Sequence, residues 1–164
     1  MYLWKIKTLK KDLVANRLTE PQLFSYFLAM LTLDILVYEL ATLFPSTEES
    51  TVWDYVGYVV SVVFTVGGAL VAYRVNGGNA GKDFLRRYFP LMWVLTIRFL
   101  VFMVPIFVLA AIPMFTLSDA IFGTETAGED SAALIKYIVV LGWAWALVFY
   151  YRLAVHLHAV ARAA

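Results

Sequence analysis

Residues 23–44, LFSYFLAMLTLDILVYELATLF, form an apolar stretch long enough to cross a lipid bilayer as a helix. A transmembrane helix needs about 20 predominantly apolar residues. Three further stretches, residues 53–75, 88–116 and 134–155, meet the same requirement. The sequence therefore predicts an all-α polytopic membrane protein, in which residues 1–164 form a single domain with four transmembrane helices in a bundle.

The composition agrees with this class of protein. Hydrophobic residues make up 62% of the chain and charged residues 15%, whereas about 25% of a soluble domain is charged. The absence of cysteine excludes disulfides, thiolate metal sites and cysteine nucleophiles. Residues 23–44 follow a mixed, partly polar arm and lack an aligned cleavage site, so we expect a retained anchor rather than a signal peptide.

The charged residues indicate which way the chain crosses the membrane. Most of the Lys and Arg residues lie in the N-terminal arm, in residues 74–87 and in the tail after residue 151, whereas the other two loops are mainly acidic. Cytoplasmic segments carry an excess of Lys and Arg. We therefore expect both termini to be cytoplasmic, in a plasma (inner) membrane.

The arm of residues 1–20 has its own amphipathic pattern. Apolar residues recur near helical spacing with basic residues between them, in the sequence LWKIKTLKKDLVANRL of residues 3–18. This pattern predicts a short basic interfacial helix on a bilayer with anionic headgroups; the alternative is a solvated, partly disordered arm. Thr19, Pro21 and Gln22 then indicate the start of the next helix, with Thr19 and Gln22 as a capping pair.

Two ionisable residues fall deep inside the predicted spans. Asp34 lies near the middle of the first and Arg98 lies in the third, both about 14–17 Å from the inner boundary at 1.5 Å per residue. A charge at such depth costs about 2.5–3.5 kcal/mol on insertion scales. We therefore predict that Asp34 and Arg98 contact each other, either as a structural ion pair or as a carboxylate that handles protons or cations beside its counter-ion.

A second polar contact is predicted nearer the outer boundary. Glu39 points about 140° away from Asp34 around the helix. Lys136, which enters the fourth span at a similar depth, is a plausible partner for it. The alternative is that Glu39 reaches the outer interface.

Small residues recur every four positions on two of the spans. Gly57, Ser61, Thr65 and Ala69 do so on the second span, and Gly142 and Ala146 on the fourth. Such stripes allow another helix to approach closely, within one chain or between chains. They predict a helix-packing face.

Motifs for phosphate, metal or catalysis are incomplete. Gly77 to Lys82 resembles a phosphate loop, but the glycine spacing is one residue short and Asp83 replaces the required Ser or Thr. His156 and His158 diverge on a helix, without a nearby third ligand. Both histidines belong to one tail, and the basic segments carry no nucleic-acid-binding module. We therefore predict no catalytic residue, cofactor, metal or nucleic-acid partner.

Two functional classes fit these features. The first is a non-enzymatic subunit that packs through its small-residue faces into a homo-oligomer or a larger membrane complex, with itself or another membrane protein as partner. The second is a small ion or solute channel or transporter that uses Asp34 and Arg98. The first is favoured because a single polar pair is too few polar groups to line a transport path. The sequence also lacks the paired half-helices that are typical of transporter repeats. An enzyme is disfavoured because no catalytic constellation is present.

Overall fold

The computed structural model describes the backbone of residues 1–42, 52–121 and 127–163. Within these ranges it describes the side chains except for residues 41–42, 53–54, 104, 107–108, 110–121 and 127–139. The described residues form five α-helices and one short 3-10 turn, Gly78–Ala80, without strands. The helices are α1 (Ile6–Val14), α2 (Glu20–Thr42), α3 (Val52–Val75), α4 (Phe84–Ile121) and α5 (Ala127–Ala163). The prediction of an all-α chain is confirmed.

Three helices contain a stretch long and apolar enough to cross a membrane. These stretches are Glu20–Leu40 in α2, Tyr55–Val75 in α3 and Val140–Ala163 in α5, among the residues that the structure describes. They indicate an integral membrane protein. The fourth span, in α4, remains a prediction because many of that helix's side chains lie outside the described set.

The ends of α2 and α3 lie close to the predicted span limits, whereas α4 and α5 are longer than their predicted spans. α4 begins before Tyr88 and continues past Thr116, and α5 begins before Leu134 and ends at Ala163. Hydropathy gives the limits of the apolar segment and not those of the helix itself. A helix can continue beyond that segment if other parts of the protein cover its apolar face. The added turns of α5 place Leu157 and Val160, both fully buried, in the protein core.

The helices pack as a row in the described part of the chain. The principal contacts join α2 to α4, α4 to α5 and α5 to α3. A closed four-helix bundle would also join α2 to α3, and the described residues of this pair make no comparable contact. In the described residues α2 and α3 therefore lie at the two ends of the row, and the closed four-helix bundle remains a prediction.

Burial is concentrated where α1 packs against α4 and α5. Leu9 of α1 is fully buried in one cluster with Leu91 and Val94 of α4 and with Leu153 and Leu157 of α5. Removal of apolar surface from water stabilises contacts of this kind. This cluster is therefore the core that holds α4 and α5 against the N-terminal segment.

The prediction for α1 needs a correction. The amphipathic helix is present, with Ile6, Leu9 and Leu13 buried and Lys7 and Lys11 exposed. Its apolar face packs against α4 and α5, whereas the sequence pattern predicts that this face lies in the bilayer. The physical reason is that the long α5 continues far enough to cover the apolar face with protein.

Candidate functional site

The predicted contact between Asp34 and Arg98 is not formed. Both residues are described, and the structure records no ion pair between them. Asp34 lies on the exposed surface of α2, and Arg98 is partly buried on α4. Equal depth in the membrane determines one coordinate of a residue but not the face of the helix on which it lies, so two charges at one depth need not meet.

Arg98 instead binds the N-terminal segment. Its guanidinium donates a hydrogen bond to the backbone carbonyl of Trp4 and lies 5.2 Å from the centroid of the Trp4 ring. The same indole packs against Phe102, with ring centroids 6.1 Å apart. A carbonyl oxygen and an aromatic face both stabilise a cation without supplying an opposite charge. The chain preceding α1 is thereby held against α4.

The exposed part of α2 begins at Asp34. Tyr26 and Met30 are buried, and Leu33 is partly buried against the core. From Asp34 to Leu40, every side chain is exposed. The structure records no hydrogen bond or ion pair for the Asp34 carboxylate, among the residues that it describes. A mid-span carboxylate is therefore presented on the surface of the single chain.

The second predicted polar contact lies partly outside the described residues. Glu39 is on the exposed surface of α2 and takes part in an interaction. The side chain of Lys136 is not among those described. The contact of Glu39 with Lys136 therefore stays a prediction.

The predicted small-residue faces of α3 and α5 line one common cleft. Gly57, Ser61 and Thr65 contribute from α3, and Gly142 and Ala146 from α5. The cleft has a volume of about 670 Å³, and α4 closes its floor. Most of the other side chains in its wall are aromatic: Tyr58, Phe64, Phe99, Trp143, Trp145, Phe149 and Tyr150. Ala69, also predicted for this face, is partly buried on α3 and does not line the cleft.

The cleft remains open in the single chain. A Cβ atom added at Gly57 or Gly142 would meet no atom within 4 Å, so none of the described side chains fills the space beside either glycine. The Trp145 indole N–H is buried in the wall without a hydrogen-bond partner in the described structure. Gly57 and Gly142 therefore leave space beside their helices in the described structure.

The close contact between these two helices lies at Gly68. A Cβ atom at this position would overlap the ring of Tyr150, whereas one at neighbouring Gly67 would meet nothing within 4 Å. Gly68 is thus the residue that lets α3 approach α5. The predicted packing face consisted of the small residues spaced four positions apart and did not include Gly68. Small residues such as adjacent glycines in an apolar helix are a signal of close approach.

A set of polar contacts holds the loop between α3 and α4. Asn76, 4% exposed, donates to the carbonyl of Lys82 at 3.1 Å and accepts from Arg87 at 3.2 Å. Gly77 and Gly78 have φ angles of 109° and 55°, which suit glycine best. Sequence reasoning compared this segment with a phosphate loop and missed the central role of Asn76.

The described side chains also bear on the possibility of a metal site. No group of three or more His, Cys, Asp or Glu residues among them could hold a metal ion. No family model matches this chain, and neither a curated protein nor a solved structure does.

Proposed function

We propose that this protein is a non-enzymatic subunit of a membrane assembly, which packs its exposed helices against a transmembrane helix of another chain. That chain is either a second copy or a different membrane protein. The observation that carries the proposal is the exposed Asp34 carboxylate. A charged residue facing lipid at mid-span costs about 2.5–3.5 kcal/mol on insertion scales, and a hydrogen-bond donor or a cation on an adjoining helix would offset this cost.

The cleft between α3 and α5 supports the same function. The small residues that line the cleft leave room for a helix of another chain to pack closely. Helix association in lipid depends on such close approach of the backbones. The buried N–H group of Trp145 needs an acceptor there. With α2 at one end of the row and the cleft near the other, a single chain presents two separate faces to partners.

The orientation and surroundings follow from the charges. We propose that α1, the loop between α3 and α4 and both termini face the cytoplasm of a plasma (inner) membrane, beside anionic headgroups. Because the chain lacks cysteine, Asn79→Cys reports the side cleanly. Asn79 is exposed, so the thiol should react only after the cells are permeabilised, and labelling of intact cells would contradict this orientation.

The mass of the assembly tests the function. The chain is extracted with its surrounding lipid, without detergent, and the particle is weighed by native mass spectrometry. We expect a protein mass above the 18.5 kDa of one chain, and a shift to the single chain for Asp34→Leu. Thr32→Val is the matched control: the Thr32 hydroxyl already donates to the Leu28 carbonyl at 2.9 Å on its own helix, so its loss should leave the assembly intact.

A wild-type particle that contains a single chain would contradict the proposal. Reconstituted protein that conducts ions or moves a solute, and loses this activity with Asp34→Asn while it remains folded, would favour the channel or transporter instead. In that case Asp34 would be the group that carries the mechanism.

A further inference from the structure

A pocket of about 250 Å³ lies where the end of α1 meets the loop before α4. Its polar wall consists of Lys82, Asp83, Arg86 and Arg87, and α1 and the residues after it supply Leu13, Val14 and Asn16. The pocket is separate from the cleft and from Asp34. It rests on the proposed membrane location of the chain but not on the proposed assembly.

The described side chains neutralise the positive charge of this pocket only in part. Three cations and one carboxylate give the wall a formal charge of +2 (3 − 1). Arg86 donates to the carbonyl of Leu18 at 2.5 Å, and Arg87 donates to the side-chain oxygen of Asn76. Both acceptors are neutral, and the structure records no ion pair for any of the three cations in the described residues.

The wall is held in place before any ligand arrives. Arg87 is only 9% exposed, and its partner Asn76 also bonds to the backbone of Lys82. Gly81 packs so closely on Asn76 that an added Cβ atom would overlap the Asn76 carbonyl oxygen. Preorganised groups bind with a smaller loss of conformational freedom. The start of α4 at Phe84 adds the positive end of a helix dipole beside these groups.

The surroundings of the pocket suit an amphiphile better than a soluble ion. Leu13 and Val14 give the pocket an apolar side. Val14 also lines a second groove, of about 510 Å³, between α1 and α5, whose wall combines basic and apolar residues: Lys7, Lys10, Lys11, Ala159, Val160 and Ala163. Basic pockets between transmembrane helices on the cytoplasmic side are typical binding sites for lipid phosphate groups.

We propose that the pocket formed by Lys82, Arg86 and Arg87 binds the phosphate group of an anionic lipid headgroup. The phosphate would receive charge-assisted hydrogen bonds from the cations. The acyl chains would extend past Val14 along the groove between α1 and α5.

Lipid retention by the purified full-length chain tests this site. The probe is phosphatidylglycerol, compared with zwitterionic phosphatidylcholine of the same acyl composition, and bound lipid is counted by native mass spectrometry. We expect preferential retention of phosphatidylglycerol. Lys82→Ala should weaken it about fivefold, the factor that one cation near an anionic surface contributes. The Lys82 side chain is exposed, so this variant should fold.

Lys5→Ala is the matched control. Lys5 carries the same charge, is exposed and lies outside the basic pocket, so this variant should retain wild-type binding. Equal losses for Lys82→Ala and Lys5→Ala would contradict a defined site and indicate diffuse attraction.

Displacement of the lipid by inorganic phosphate would assign the site to a soluble phosphate and overturn the lipid assignment. Retention in the presence of inorganic phosphate supports it. Since retention is counted per chain, this outcome is independent of whether the assembly forms.

Discussion

The Arg98 guanidinium lies over the Trp4 indole, 5.2 Å from the ring centroid, and donates a hydrogen bond to the Trp4 carbonyl. These residues are 94 positions apart, so their contact fixes the start of the chain against the middle of α4. A second contact also holds the N-terminal arm: the backbone N–H of Tyr2 donates to the Tyr26 hydroxyl of α2 at 2.6 Å. The N-terminal arm is therefore a packed part of the fold rather than a free basic tail.

Arg98→Met should release this arm. The variant keeps an unbranched side chain but loses the charged hydrogen bond and the contact of the cation with the indole, at a cost of about 1–3 kcal/mol. We expect faster hydrogen exchange at residues 2–9 and a lower melting temperature in detergent. Arg152→Met is the control, because Arg152 is exposed near the end of the same core. Equal effects of the two variants would show that the contact with Trp4 is not what holds the arm.

Gly68→Ala should loosen the contact between α3 and α5. The added methyl group overlaps Tyr150, and overpacking of this kind costs about 1–3 kcal/mol. Gly67→Ala is a closely matched control because its methyl group meets open space, and alanine favours the helix by about 1 kcal/mol. Thermal unfolding in one detergent compares the two variants. A Gly68→Ala protein as stable as Gly67→Ala would contradict the close approach.

Asn76→Ala should disrupt the loop between α3 and α4. The change leaves buried Arg87 without its side-chain acceptor and the Lys82 carbonyl without its donor, at a cost of about 1–3 kcal/mol. Asn79→Ala removes only the exposed bond from the Tyr73 hydroxyl and should remain within about 0.5 kcal/mol of wild type. Chemical denaturation measures both. The reverse order of the two effects would refute the central role of Asn76.

The contact between Tyr2 and Asp12 should make the arm sensitive to alkaline pH. The Tyr2 hydroxyl donates to the Asp12 carboxylate at 2.5 Å, and this hydrogen bond raises the pKa of Tyr2 above its usual 10.0. A raised folded pKa means that the stabilisation is complete below the unfolded pKa of about 10 and is lost as the pH rises through the folded value. Hydrogen exchange of the arm between pH 8 and pH 12 should therefore show an alkaline opening that Tyr2→Phe lacks. The same opening in both proteins would exclude Tyr2 as its cause.

The sequence predicted those features of the fold that depend on local pattern. The apolar lengths located α2 and α3, and the capping pattern is confirmed in part, because the Thr19 N–H donates to the Gln22 side chain at 3.0 Å. The extension of α5 could have been predicted from periodicity: Leu157 and Val160 continue the helical spacing of Leu153 beyond the predicted span, which ends at residue 155.

The features that sequence reasoning missed depend on contacts between distant segments. Asp34 and Arg98 have the same predicted depth in the membrane. Depth alone does not show that Trp4 packs against α4 and binds the Arg98 guanidinium. Likewise, spacing identified small residues on α3 but not which of them meets a side chain of α5. Periodicity determines the face of a helix, whereas its partner depends on how the whole chain packs.

Photo-crosslinking beside Asp34 tests the central claim most directly. Tyr38 lies one helical turn beyond Asp34 and is 69% exposed in the single chain, so a photoreactive phenylalanine analogue is tolerated there. In native membranes we expect this probe to form protein adducts, and we expect Asp34→Leu in the same chain to reduce them strongly. Adducts with lipid alone, unchanged by Asp34→Leu, would show that bilayer rather than another chain covers this face and would contradict the proposed subunit function.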